Sequence, residues 1–374
     1  MDLLITIIVF LVIFSILILV HEWGHFTMAR RADIKIEEFG IGLPPRALVL
    51  KKAKETLYSL NWIPFGGFVR MLGEDATDRR ALKDPRSFIN KTIGQRTKVI
   101  VAGVVMNFLL GILLLTICFG VGVEPFVLTQ ADFERELERG NIITAPGVYV
   151  NEVLEDSPAE QAGIQAGDVI LEVEGQKVER GAAVVEITKA NTGEEISYLL
   201  LRGEEEVEIS AKVSEEGRVG VSIADIPVIQ EIKKVKYPWY QAPFVATREA
   251  GKLSVATARM FGGVLKNLVS RFEISDNVAG PLGIAQMTYG VTKKGVIAVF
   301  KFVALLSISL GTINFLPLPA LDGGRFLFIV VEVIRRKKAN AQWETAIHGT
   351  GFILLMLLIF AITYKDILRI FSGG

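Results

Sequence analysis

The sequence predicts a polytopic α-helical membrane protein of about four transmembrane helices, with a membrane-associated β-hairpin or small sheet and an inserted α+β domain. Three observations predict it. Four apolar segments, Leu3–Met28, Val99–Val123, Val296–Leu321 and Ala346–Tyr364, each approach or exceed the roughly twenty residues that a bilayer crossing needs. Between the first two, short β-type runs are separated by turn residues. Between the second and third lies a long stretch of mixed, charged composition in which strand and helix signals alternate. The 374 residues leave room for two or three domains, and 51% of them are hydrophobic, as expected where lipid solvates much of the surface. Basic and acidic residues balance at 41 each, so no net field points to nucleic acid. The single cysteine, Cys118, excludes an intrachain disulfide and a cysteine-based metal site.

The first segment contains His21-Glu22-Trp23-Gly24-His25. Two histidines four apart project from one helical face. That spacing suits a single zinc ion, with the intervening glutamate placed to deprotonate a water. The motif arises by chance in soluble helices, but ionisable groups inside a membrane span are costly and mark function. If the helix runs to Arg30, the histidines lie one to two turns inside the bilayer, and their chemistry requires a water-filled cavity. The N-terminus lacks a basic n-region and a small-residue cleavage site, so it reads as a retained anchor.

The following loop carries Arg30, Arg31, Lys51, Lys52, Lys54, Arg79, Arg80, Arg96 and Lys98. The positive-inside rule places it in the cytoplasm and the chain start outside. Ala47–Leu50 and Thr56–Trp62 read as strands around a basic turn, and Gly67–Leu72 as a third. In the second span, Asn107 reads as interhelical glue. Residues 1–123 thus form the first unit, and 124–146 a linker. A compact mixed domain is expected over 147–223. Its strands are Val148–Leu154, Val169–Val173, Glu195–Arg202 and Glu205–Val213, with a helix capped by Ser157 with Pro158 at its first position, and another over Ala182–Thr188. Residues 224–294 form an amphipathic region with a helix over Phe244–Arg271, and 295–374 hold the last two spans.

The third span ends in Asn314-Phe315-Leu316-Pro317-Leu318-Pro319-Ala320-Leu321-Asp322-Gly323-Gly324. Broken backbone at membrane depth is tolerated only where it is buried in protein or lines a watery cavity. Asp322, the sole acid there, is the best candidate for a third metal ligand, and His348 is its competitor. Asn314 is suited to holding a peptide carbonyl or an oxyanion. Arg335-Arg336-Lys337-Lys338 places the next loop in the cytoplasm.

The run from Ser157-Pro158-Ala159-Glu160 to Gly163 and Gly167-Asp168 resembles a PDZ domain of the circularly permuted bacterial type, over roughly Gly147–Ile223. In such domains a glycine-bounded loop takes a peptide C-terminus on its backbone amides. The matching residues are Gly217, Arg218, Val219, Gly220 and Val221; the alternative is a domain that only excludes bulky substrates. With the histidine motif in span one and the proline-broken Leu-Asp-Gly-Gly motif in span three, the whole chain resembles the site-2 proteases, in their bacterial RseP-like group. Phe65-Gly66-Gly67-Phe68-Val69 and Gly280-Pro281-Leu282-Gly283-Ile284 also match family stretches.

The resemblance implies an intramembrane endopeptidase with one Zn2+ per chain. His21, His25 and Asp322 would be ligands, Glu22 the base, and Asn314, Gly66 and Gly67 substrate-binding residues. It implies substrates such as membrane-spanning anti-sigma factors and signal peptide remnants. It implies the bacterial plasma (inner) membrane, the N-terminus and PDZ domain extracytoplasmic and the active site near the cytoplasmic face. Two features depart from the family: Val104 stands where proline is frequent, and there is room for one PDZ domain where well-known members carry two. A catalytically silent PDZ scaffold or a transporter with broken helices would leave the zinc and base residues unexplained.

Overall fold

A computed structural model of the protein describes residues 2–74, 83–203, 205–271, 280–337 and 340–371. Arg79, Arg80 and Lys338, used above for orientation, lie outside the described residues. The chain divides into one unit of Met1–Val123 with Lys236–Gly374 and a second of Glu124–Val235.

In the first unit, four helices are long and apolar enough to cross a membrane: Ile5–Arg31, Ile93–Val121, Val296–Phe315 and Gln342–Arg369. They belong to α1 (Asp2–Arg31), α2 (Ile93–Val121), α8 (Val296–Phe315) and α10 (Ala341–Phe371). The start of α2 precedes the apolar run because Thr92 and Gln95 form a reciprocal capping box, each satisfying the other's backbone N–H. The expected third span stops at Phe315 rather than Leu321. Pro317 and Pro319 lack the N–H that would continue the ladder, and Leu316 turns extended. A new amphipathic helix, α9 (Asp322–Arg335), follows.

Helices α1 and α2 pack directly. A Cβ on Gly24 would lie 2.4 Å from the Ala102 carbonyl oxygen, so only glycine permits this crossing. The amphipathic α6 (Ala242–Arg271) packs on α2 and α8. The N-terminus of α7 (Pro281–Lys293) is capped by the buried Asp366 of α10, which accepts from Gly280 N–H at 3.2 Å and Gly283 N–H at 2.9 Å.

Strands β1 (Ile36–Ala53) and β2 (Thr56–Met71) are longer than the three short runs read from the sequence. They fold back on each other, so Phe39 lies opposite both Val69 and Tyr58. Inside the hairpin, burial pushes the Glu38 carboxyl up. Hydrogen bonds from Arg46 (2.7 and 3.0 Å) and Ser59 (2.7 Å) outweigh that and hold it below the usual carboxylate range. Along the hairpin, Leu48, Val49, Leu50, Trp62 and Ile63 are exposed, an apolar surface of the kind that marks an interaction site.

The second unit differs from the expected boundaries. Residues 124–146 are not a linker: they contain α3 (Gln130–Glu138) and the start of β3 (Ile142–Val153). Strand β3 pairs along its length with β8 (Val221–Ile232), Ile142 opposite Ile232 and Val153 opposite Val221, so limits at 147 and 223 cut through paired strands. With β4 (Val169–Val173), β5 (Gln176–Lys177), β6 (Glu195–Arg202) and β7 (Glu205–Lys212), the path is β7-β6-β4-β3-β8, with β5 on β4. Helices α4 (Pro158–Ala162) and α5 (Gly181–Ala190) accompany the sheet. Val148, Val150, Ile170, Val173, Ile196, Tyr198 and Leu200 fill its core. The half-buried Arg202 pairs with the buried Asp168 at 2.8 Å and fastens β6 to the turn before β4.

Candidate active site

One turn of α1 brings His21 and His25 together, their ring centroids 4.7 Å apart. The Nε2 atoms lie 3.1 Å from each other, and Asp322 Oδ2 lies 2.9 Å from His21 Nε2 and 3.2 Å from His25 Nε2. Among the described residues these three make the only cluster of His, Cys, Asp and Glu groups placed to hold a metal. Tetrahedral zinc ligands at ordinary bond lengths stand roughly 3.3 Å apart. Asp322 Oδ2 is buried without a well-aligned hydrogen bond. An orphaned carboxylate oxygen and two imidazole nitrogens turned on one point fit a divalent cation, and the donor set of two imidazoles and one carboxylate fits zinc.

Helix α2 builds the wall behind the histidines. Val99, Gly103 and Asn107 recur every four residues and share one face. The Val99 carbonyl accepts from His25 Nδ1–H at 2.8 Å, which leaves the lone pair on Nε2. A Cβ on Gly103 would lie 2.4 Å from His25 Nε2 and 2.7 Å from His21 Nε2. Asn107 Nδ2 lies 3.2 Å from His21 Nδ1. The interhelical bond expected of Asn107 therefore reaches a residue of the candidate metal site.

Asp322 is delivered by the break after α8. Cβ atoms on Gly323 and Gly324 would lie 2.1 Å from the Leu316 and 2.2 Å from the Leu318 carbonyl oxygens, so the turn closes only around glycine. Ala320 takes a left-handed φ of 72°, and its N–H donates to His348 Nδ1 at 3.0 Å. His348 thus braces the loop and is not part of the three-residue cluster. Two ion pairs anchor α9: Arg96–Glu332 at 2.8 Å and Arg325–Glu74 at 2.5 Å.

A cavity of about 210 Å³ opens on the cluster, lined by His21, Glu22, His25, Glu74, Asp322 and Arg325 among others. Glu22 Oε2 accepts from Val69 N–H of β2 at 3.1 Å. Just before Val69, Gly66 and Gly67 lie on α1: a Cβ on Gly67 would meet Leu19 Cδ2 at 2.7 Å, and one on Gly66 would meet Ile18 Cδ1 at 3.0 Å. This stretch of β2 therefore sits against the histidine helix. Asn314, next to the last residue of α8, is half-buried and is not among the cavity-lining residues.

The chain matches Peptidase family M50 over residues 9–358. It belongs to that family. The M50 chain is 29% identical to zinc metalloprotease RasP of Geobacillus kaustophilus, covering 98% of each. It is 28% identical to the regulator of sigma-W protease RasP of Bacillus subtilis, covering 98% of this chain and 99% of that one. Among solved structures, it is 32% identical to the PDZ domain of an SdrC-like protein from Listeria innocua, over 21% of this chain and 92% of that one, at a TM-score of 0.18. This M50 peptidase is a zinc metalloprotease, and the silent scaffold and the transporter have no support.

In the second unit of the M50 peptidase, the stretch Gly217–Val221 runs from a turn into the sheet. Gly217 N–H and Arg218 N–H are spent on Ser214, and the Val219 and Gly220 carbonyls accept from Ala159 and Leu154. Val221 opens β8, and Asp225 of that strand accepts from Gly181 N–H of α5 at 2.6 Å. Sequence reading takes Gly103, with Gly111, Gly120 and Gly122, as a residue for close helix packing and His348 as a competing ligand; it does not reveal the room Gly103 leaves for the histidines or the brace His348 gives Ala320. A glycine in an apolar span reads as a packing residue, and an isolated histidine carries no motif.

Proposed function

We propose that His21, His25 and Asp322 hold the zinc and that Glu22 is the general base of peptide hydrolysis in membrane-spanning substrates. The observation that carries this reading is the convergence of the three donor atoms within 3.2 Å of one another, in a cavity that Glu22 also lines. Zinc bound there supplies Lewis-acid polarisation of a peptide carbonyl and eases the deprotonation of water. Glu22 takes the proton and passes it to the leaving amine. Its bond to Val69 N–H ties the base to β2, so the segment from Gly66 to Val69 is the natural seat for a substrate chain unwound and held by strand addition.

The lysines and arginines of the loop after α1 support a cytoplasmic hairpin, and the exposed Leu48, Val49, Leu50, Trp62 and Ile63 along it support contact with the inner leaflet. The N-terminus and the inserted PDZ-like domain then lie outside the plasma membrane, with the metal site near its cytoplasmic face. A cysteine introduced at Lys52 is expected to react with an impermeant label only from the cytoplasm, and one at Glu195 only from outside. The reverse pattern would invert the topology. Anti-sigma-factor-like membrane proteins and signal peptide remnants are the proposed substrates; the name of the Bacillus subtilis relative supports the first.

Metal analysis tests the ligand set. His21→Ala and His25→Ala are expected to lose nearly all bound zinc, and Asp322→Ala to weaken it. His348→Ala should keep its zinc while losing roughly 1 kcal/mol of stability with its bond to Ala320. A zinc-free His348→Ala beside a fully loaded Asp322→Ala would overturn the assignment.

A further inference from the structure

Asn107 is fully buried, yet its Oδ1 has no hydrogen-bond partner, while its Nδ2 lies 3.2 Å from His21 Nδ1. In that orientation the amide donates and Nδ1 accepts. An imidazole that accepts at Nδ1 carries its proton on Nε2, the atom turned toward His25 and Asp322. Zinc needs a lone pair on Nε2, and a neutral imidazole with that lone pair carries its proton on Nδ1. Two donors would then face each other. Rotating the Asn107 side-chain amide by half a turn exchanges Oδ1 and Nδ2 and restores a donor opposite an acceptor. The heavy-atom positions are nearly unchanged by that exchange.

We infer that Asn107 is a positioning residue for the zinc site: its Oδ1 accepts from His21 Nδ1–H and so fixes the tautomer and ring plane of His21. The Val99 carbonyl already does this for His25 at 2.8 Å. The two histidines are thus set by acceptors on one helix, Val99 and Asn107, eight residues apart on a single face of α2, with Gly103 between them leaving room for both Nε2 atoms. A helical main-chain carbonyl can take a second donor beside its ladder N–H, as the one at Val99 takes His25 Nδ1–H. The one at Asn107 also receives Ser307 Oγ at 2.8 Å. This inference rests on the proposed ligand set.

The test uses the full-length enzyme in detergent, loaded with zinc and titrated against a chelator of known affinity. Asn107→Leu keeps the size of the side chain and removes the acceptor; it is expected to bind zinc about 10- to 100-fold more weakly. Asn107→Asp keeps the acceptor and loses the NH2, and it should bind zinc at least as tightly as the native protein. With three histidines in the chain, 15N-histidine NMR gives a second readout that is independent of activity. The His21 Nδ1–H signal of the zinc-loaded protein should persist in Asn107→Asp and exchange away in Asn107→Leu. The His25 signal, bonded to Val99, should stay in both. Native affinity in Asn107→Leu, or an Asn107→Asp as weak as Asn107→Leu, overturns the acceptor role. A His21→Ala variant that binds zinc like the native protein overturns the ligand set itself. Loss of zinc in His21→Ala with none in Asn107→Leu removes only the role given to Asn107.

Discussion

Glu22→Gln is expected to abolish peptide cleavage while leaving zinc and fold in place. The substitution preserves shape and can still meet Val69 N–H through its amide oxygen, but it cannot take a proton from water. A positioned general base contributes roughly 100- to 10,000-fold to rate. Loss of that order in cleavage of a model transmembrane peptide, with zinc content and thermal unfolding unchanged, is the expected result. Glu22 is joined to no ligand atom in the structure, and its bond runs to β2, so the metal should not notice the change. Substantial residual cleavage by a zinc-loaded Glu22→Gln enzyme would remove Glu22 from its role.

Gly103→Ala is expected to empty the metal site through a single methyl group. Its Cβ would lie 2.4 Å from His25 Nε2 and 2.7 Å from His21 Nε2, well inside van der Waals contact with the two nitrogens proposed as ligands. Neither ring can retreat freely, since His25 Nδ1 is tied to Val99 and His21 Nδ1 faces Asn107. Overpacking of this kind costs about 1–3 kcal/mol, which a helical bundle survives. Zinc affinity, which depends on ligand geometry, is expected to fall on the order of 100-fold or more. Metal analysis beside a thermal melt separates the two effects. An alanine variant with a full complement of zinc and native activity would show that the histidines swing away from α2 when the metal binds.

The histidine pair was legible in the sequence because helix geometry alone places residues four apart on one face, whatever the rest of the chain does. Asp322 was legible for a related reason: prolines and glycines at membrane depth announce a cavity, and one acid stood beside them. The hairpin was legible in kind but not in extent. Its pairing is set by Phe39 meeting both Tyr58 and Val69, which no short alternating run records. The role of 124–146 was hidden because its strand partner lies some eighty residues downstream, and local composition does not reveal a distant edge.

By itself, then, the sequence determined the periodic features: which helices are apolar enough to cross a bilayer, that His21 and His25 act together, and that Asp322 lies at a break. Tertiary packing decided the remainder. It made Gly103 a cradle for two imidazoles, Asn107 the partner of His21, His348 a brace for Ala320 rather than a fourth member of the cluster, and Asp366 a cap for α7. These roles depend on which faces of α1, α2, α9 and α10 meet. The faces meet through close contacts at small residues such as Gly24 and through buried ion pairs such as Arg96–Glu332, both of which join residues far apart in the chain. Local spacing carries no information about such distant contacts, because the energy that selects them exists only once the helices are packed.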